Sequence, residues 1–416
     1  MADAMKTPLD RGRYPILERK VGADGAHRLV YLDSAATALV SATVTDAHAA
    51  FLHTSCANIH RGAHLLAEEA TDAYECARER LASFFGASSP EAVVLTHGAT
   101  ESLNLAALGW GRRHLRAGDI VAVAADNHHS NIVPWQMLAE ERGVEVAWIP
   151  VGADGLLDLS TWYRIAERSP KAVALCHRSN VLGFAQPALA TILNEARSCG
   201  ALIVLDGAQA AAHIPVDLSD TPFDFYGCSA HKMGGLAGVG ALVCSERAIG
   251  ELSPLVGGGG MAARVDDDGY APLAGPAGFE AGTPPVAAAA VWPVAIDLLE
   301  AAGLDTLAAH VSVLAEAARH RLASIPGVRV IGDEPGRAFE SLVSFTVDGV
   351  HPHDVSQHLS NAGVMVRAGH HCAKPLHRAL GLKASLRASF GGYSADDDVD
   401  ALVAAVEERC EKRRTC

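Results

Sequence analysis

Between Glu91 and Cys244 the chain repeats one unit: a short apolar run, a polar or glycine-containing loop, then an Ala/Leu-rich helical stretch. The runs are Ala92–Thr96, Ile120–Ala124, Val144–Val151, Ala172–His177, Ala201–Asp206, Phe223–Ser229 and Val239–Cys244. Continuous apolar strands without alternation are what a sheet buried on both faces requires. Intervening helices make such a sheet largely parallel, so the fold class expected is α/β. Ligands collect at the carboxyl ends of strands in these sheets, which makes the polar residues there the functional candidates.

The rhythm changes after Gly257–Gly260 and the acidic stretch Asp266–Asp268, which reads as a solvated loop. A long helical stretch is expected from about Pro285 to Leu322, then strand-like runs at Val328–Ile331, Leu342–Val347 and Val364–Val366. A helix near His353–Asn361 and a last amphipathic helix near Asp397–Arg413 complete a smaller α/β domain from about residue 300.

The 416 residues suffice for two or three domains with a large core. Lys and Arg number 34 against 48 Asp and Glu, a formal charge of -14, which argues against nucleic acid or an anionic membrane as the main partner. The longest uncharged apolar stretch, Pro284–Ile296, is too short to span a bilayer. Met1–Lys20 is broken up by Asp3, Lys6, Asp10, Arg11, Arg13, Glu18 and Arg19, unlike a signal peptide. Nine scattered cysteines without a CxxC pair read as reduced thiols, so a cytoplasmic location is expected.

At the strand ends, Asp206 closes Leu202–Val204, with Gln209 three residues on. It is either a capping carboxylate or one held to pair with a cationic nitrogen such as a pyridinium. Ser229-Ala230-His231-Lys232 closes another run and precedes Gly234, Gly235, Gly238 and Gly240. Lys232 is either an exposed loop lysine or one whose amine is desolvated to condense with an aldehyde. Gly98-Ala99-Thr100-Glu101 opens a helix, as an ordinary N-terminus or as a phosphate cradle. His128-His129 follow the Ile120–Ala124 strand and read either as metal ligands, although no third ligand sits at zinc-like spacing nearby, or as a flat imidazole stacked on a planar cofactor. No metal is expected. Cys76, Cys176, Cys199 and Cys244 read as small buried hydrophobes. Cys372 differs, because Arg367, His370, His371 and Lys374 surround it and positive neighbours favour a thiolate nucleophile.

Taken together, these residues resemble one family: the class V, fold-type I pyridoxal 5'-phosphate (PLP) enzymes, and within it the SUF-type (group II) cysteine desulfurases, with which selenocysteine lyase activity travels. The resemblance runs through Tyr31-Leu32-Asp33-Ser34-Ala35-Ala36-Thr37, Asn58-Ile59-His60-Arg61-Gly62, Gly98-Ala99-Thr100-Glu101 and His128-His129-Ser130-Asn131-Ile132-Val133-Pro134-Trp135-Gln136. It continues through Ser179-Asn180-Val181-Leu182-Gly183, Asp206-Gly207-Ala208-Gln209, His231-Lys232, Gly258-Gly259-Gly260-Met261 and Phe279-Glu280-Ala281-Gly282-Thr283-Pro284. It ends with Arg367-Ala368-Gly369-His370-His371-Cys372 and Arg387-Ala388-Ser389, so it covers nearly the whole chain. Departures fall at Met233-Gly234-Gly235-Leu236-Ala237-Gly238, Asn127, Phe184 and Gly391-Gly392-Tyr393-Ser394, and none removes a group the chemistry needs.

The resemblance implies a large, mostly parallel seven-stranded domain at 31–300 that binds PLP. It also implies a small domain at 301–416 carrying the Cys372 loop, and an N-terminal segment at 1–30 packing with the small domain. By resemblance Lys232 would carry PLP, Asp206 would pair with the ring nitrogen, and Gln209 would bond the ring oxygen. Ala99, Thr100, Ser229 and His231 would hold the phosphate. Thr283 would reach the phosphate of a neighbouring subunit in a homodimer. His128 would stack on the ring and assist proton transfer, and Asn180 and Arg387 would bind the substrate carboxylate. The implied reaction converts L-cysteine to L-alanine and leaves a persulfide on Cys372 for transfer to an acceptor protein, as in iron–sulfur cluster assembly. Alternatives on the same scaffold are selenocysteine lyase, a carbon–sulfur lyase or a class V aminotransferase of a biosynthetic pathway. An alternative of another class is a non-catalytic sulfur-relay subunit, but Lys232, Asp206 and Cys372 are all present.

Overall fold

The seven apolar runs form one sheet in a computed structural model that describes residues 7–60 and 62–414. The strands are β1 (Val93–Thr96), β2 (Ile120–Ala124), β3 (Glu145–Ile149), β4 (Ala172–Cys176), β5 (Leu202–Asp206), β6 (Phe225–Ser229) and β7 (Gly240–Cys244), ordered β1-β7-β6-β5-β4-β2-β3. All neighbours from β6 to β3 are parallel, and β7 runs antiparallel between β6 and β1. The lack of alternation has a direct cause. Ile120, Ala122 and Ala124 pack into one core while Val121 and Val123 pack into another on the opposite face. Both faces are covered, so neither set is polar.

The helix Leu65–Phe85 covers one face with Ala67, Ala70, Tyr74, Ala77 and Leu81, at the three-and-four spacing of an apolar stripe. His64 Nδ1 accepts from Ala67 N at its start, and Gly86, at φ 63°, ends it. Cys76 falls outside this stripe and is exposed, as is Cys199 just beyond the helix Leu189–Ser198, correcting their reading as buried; Cys176 and Cys244 are buried. Arg78 lies inside the stripe. Its guanidinium bonds Glu280 at 2.7 and 2.9 Å and the Val93 carbonyl at 2.6 Å, while Glu280 also accepts from Leu95 N and Tyr74 Oη. This ion pair joins the helix, β1 and the segment before Thr283. Arg78→Ala would leave the Glu280 carboxylate buried beside one fewer cation and should lower stability by about 3–5 kcal/mol, read as a fall in the urea midpoint at unchanged m.

Beyond β7, the acidic stretch occupies the tip of an exposed hairpin, Ala262–Asp266 with Gly269–Pro272. The helical stretch expected over 285–322 is divided into three helices: Val286–Ala290, Trp292–Ala302 and Leu304–Ala323. Pro293 sits in the first turn of the second helix, and Gly303, at φ 79°, turns the chain into the third.

A second sheet is wholly antiparallel: β8 (Val328–Val330), β9 (Leu342–Val347), β10 (Arg367–Gly369) and β11 (Ser385–Ser389), ordered β8-β9-β11-β10. The strand-like run at 364–366 is a strand, Val364–Met365, that stands outside this sheet and pairs in parallel with Val30–Tyr31. The N-terminal segment bonds the same region, through Leu9 N to the Gly392 carbonyl and through Arg11 and Arg28 to the buried Asp398, each at 2.7 Å. Arg61, Cys416 and residues 1–6 of the segment 1–30 lie outside the described residues.

Candidate active site

The carboxyl ends of the parallel strands open onto a cavity of about 210 Å³ between the two sheets. Ala99 and Thr100 reach it from the turn after β1, His128 from beyond β2, Asn180 from beyond β4, Asp206 and Gln209 from the end of β5, and Ser229, His231 and Lys232 from the end of β6. The second sheet contributes Arg367 and Arg387. These eleven residues, all named from the sequence, therefore line one space.

The turn after β1 depends on backbone proximity. Gly98 adopts φ 148°, and a Cβ on Gly240 would stand 2.4 Å from the Gly98 Cα, so neither position accepts a side chain. From this turn a helical run extends from Ala99 to His114. Ser229 Oγ accepts from Ala99 N at 2.7 Å, and the Thr100 and Ser130 hydroxyls meet at 2.8 Å. Backbone donors and hydroxyls at a helix start form a cradle for an anion.

Burial pushes Asp206 above the ordinary carboxylate range, opposed by the Lys232 charge and the Ala208 N–H. Burial lowers Lys232 to about 8, opposed by Asp206. An amine is an ammonium ion below its pKa and a nucleophile above it. In the cofactor-free chain, reductive alkylation of Lys232 by formaldehyde, followed by mass spectrometry, should therefore reach half its plateau near pH 8. Ordinary lysines should keep reacting faster up to about pH 10.4. Asp206→Asn removes the charge that raises the Lys232 value, so its midpoint should fall further.

His128 accepts from Ser130 N at 3.2 Å through Nδ1, which places the proton of the neutral ring on Nε2. Burial, then the Lys232 charge, lowers its pKa to about 3, so it stays neutral at ordinary pH. Arg387 is fully buried; Nη2 bonds Asp33 at 2.9 Å and Nη1 bonds the Asn180 carbonyl at 2.9 Å. Asn180 Nδ2 donates to the His371 carbonyl at 2.6 Å, and Gln209 Nε2 to the Ala35 carbonyl at 2.8 Å, each keeping a second N–H.

Three buried polar atoms of cavity residues lack partners: Gln209 Oε1, Asn180 Oδ1 and Arg387 Nε. Each such atom costs about 1–3 kcal/mol, so their convergence marks a cavity shaped for a polar ligand. With an amine of lowered pKa, a buried carboxylate, an anion cradle and a flat neutral imidazole, the residues fit PLP. No cluster of three His, Cys, Asp or Glu side chains suited to a metal occurs among the described residues.

Cys372 stands beside the cavity rather than in its lining, half-buried, with Arg367 Nη2 4.0 Å from Sγ. His371 and Cys372 both have positive φ, 51° and 58°, and the Cys372 carbonyl accepts from His129 N at 2.7 Å. Two adjacent non-glycine residues in the left-handed region need surrounding bonds to hold them. Thr283 does not reach this cavity; it lines another of about 460 Å³ with Asn58, His60 and Glu280. Sequence reasoning did not single out Arg178, which lines the cavity and pairs with Glu340 at 2.5 Å, or Asp33, which holds Arg387.

The aminotransferase class-V profile matches residues 30–402. The chain is 42% identical over 409 residues to a probable cysteine desulfurase of Streptomyces coelicolor, covering 97% of each. It is also 42% identical over 409 residues to a cysteine desulfurase of Haloferax volcanii, covering 95% of each. Among solved structures, the Escherichia coli cysteine desulfurase CsdA (S-sulfonic acid) superposes with a TM-score of 0.87 at 36% identity, covering 96% of this chain and 97% of that one. The apo cysteine desulfurase of Thermococcus onnurineus gives 0.87 at 34% identity, covering 92% and 95%.

Proposed function

Because this chain belongs to the class-V aminotransferases, and within them to the cysteine desulfurases, we propose that it takes sulfur from L-cysteine onto Cys372 with PLP as its cofactor. The observation that carries this reading is the convergence of Lys232 and Asp206 in one cavity with a thiol held beside Arg367 at its edge. Lys232 would hold the cofactor covalently, Asp206 would pair with its ring nitrogen, and Gln209 would bond its ring oxygen. Ala99 N, Thr100, Ser229 and His231 would hold its phosphate. When bound, the cofactor supplies an electron sink for charge that develops on the substrate.

Arg387 presents unused donors to the substrate carboxylate, and Asn180 adds its second amide N–H. Once the substrate amine has displaced it, the freed Lys232 amine would take the proton from the substrate Cα. His128 lines the same cavity and would assist proton transfer to and from the substrate. Cys372 Sγ then attacks the substrate sulfur. The Sγ–S bond forms as the Cβ–S bond breaks, the bonding pair stays with Cβ, a proton equivalent to the one lost from Cys372 is delivered there, and return of the abstracted proton to Cα completes L-alanine. The persulfide left on Cys372 awaits an acceptor protein.

The separate cavity at Thr283 supports a homodimer in which this residue serves the partner copy. The free thiols support a reducing, cytoplasmic setting. In the direct test, the PLP-loaded protein is given L-cysteine and a reductant, and sulfide, alanine and pyruvate are measured. Equimolar sulfide and alanine are expected. Sulfide accompanied by pyruvate would replace this reading with a β-eliminating lyase.

A further inference from the structure

Beneath the Cys372 loop lies a chain of buried polar groups that the reaction above does not use. His377 Nδ1 lies 3.0 Å from the Ala373 carbonyl, His377 Nε2 lies 3.0 Å from Ser385 Oγ, and Ser385 Oγ lies 3.1 Å from His371 Nε2. Ser385, His377 and His371 are 0, 1 and 2% exposed.

The protons in this chain can be placed. A carbonyl only accepts, so His377 carries its proton on Nδ1. Burial lowers the pKa of both histidines, that of His371 to about 2, so each ring is neutral. His377 Nε2 is therefore bare and accepts the one proton of Ser385. Ser385 Oγ has no second proton, so the contact with His371 requires His371 to donate from Nε2. His371 Nδ1 is left bare, and it is a buried atom without a partner. The chain thus runs in one direction, from His371 through Ser385 to His377 and the Ala373 carbonyl.

Its location gives it a purpose. Ser385 and Arg387 lie two residues apart on β11, so they share a face of the second sheet. Strand β10, which leads into the Cys372 loop, pairs with β11 through Gly369–Ser385 and Arg367–Arg387. The relay grips the loop from within, at His371 on one side of Cys372 and at Ala373 on the other, and anchors it to the strand that carries Arg387. We propose that Ser385, with His371 and His377, positions the Cys372 nucleophile at a fixed distance from the arginine that holds the substrate.

Serine 385 is thus a positioning residue, touching neither substrate nor cofactor, and only the kinetic part of the test rests on the desulfurase reading. In the PLP-loaded enzyme, Ser385→Ala should lower kcat for L-cysteine by roughly 10- to 100-fold, the scale of a misplaced reacting group. KM should stay within about twofold because Arg387 is untouched. Ser385→Thr keeps the hydroxyl and should recover most of the rate. A wild-type rate in Ser385→Ala, equal losses in both variants, or a parallel loss in KM would overturn the proposal. The second measurement needs no variant: the ¹⁵N spectrum of histidine-labelled holoenzyme should show His377 protonated on Nδ1 and His371 on Nε2. His371 protonated on Nδ1 would refute the relay whether or not the enzyme desulfurates cysteine.

Discussion

Cys372→Ala is expected to lower sulfide and alanine production by on the order of 10³-fold or more, the scale of removing a catalytic nucleophile. No other described thiol is placed to take over. Cys176 borders the cavity, but burial, with the Asp126 and Asp206 carboxylates nearby, pushes its thiol far up and keeps it protonated. Burial likewise raises Cys228 to about 12 and holds Cys244 high. Cofactor binding should survive, because Lys232, Asp206 and the anion cradle belong to the other sheet. The purified variant should therefore stay yellow and still change its absorption when L-cysteine is added. Unchanged turnover in this variant would make Cys372 incidental and contradict the persulfide route.

Arg387→Ala should reduce kcat/KM by on the order of 10²- to 10³-fold, chiefly through KM, as expected when one member of a buried charge pair is truncated. The guanidinium is held by Asp33 on one side and by the Asn180 carbonyl on the other, so its free edge is already oriented when the substrate carboxylate arrives. The variant also leaves Asp33 without its cation. Burial already raises the Asp33 pKa and Arg387 restrains it, so Asp33 should take up a proton more readily in the variant. Arg387→Lys retains the charge but not the planar fork, and should fall between the two. Measurements of kcat and KM on PLP-loaded proteins decide it: equal KM values would remove Arg387 from carboxylate binding.

The large sheet was legible because its environment imposes a simple pattern: strands covered on both faces carry apolar residues throughout. The small sheet was harder. In β10 and β11, Arg367 and Arg387 line the cavity while Ser385 and Ser389 bond buried groups of neighbouring segments, so these strands read as polar motifs. The helical stretch from 285 was legible in composition, but its breaks depend on backbone conformation at Val291 and Gly303. For the site, the strand-end rule located Asp206, Lys232, His128 and the Gly98 turn, while their ligand came from the resemblance. Asp33 and Arg178 escaped because their partners, Arg387 and Glu340, lie 354 and 162 residues away, and local spacing carries no trace of such pairings.

The antiparallel insertion of β7 between β1 and β6 has a consequence for synthesis on the ribosome. Strand β1 emerges roughly 140 residues before the strand that covers its inner edge, a wait of about 7–30 s at ordinary elongation rates. Through that interval an apolar edge with unpaired amides can recruit another nascent chain, the hazard of any open sheet edge. The helix Leu65–Phe85 is already made and can shield one face, but the edge itself stays open until Gly240 meets Gly98. Yield of soluble protein should thus be sensitive to translation speed and chaperone supply between codons 97 and 244, a stretch in which synonymous changes matter even though the finished enzyme is identical.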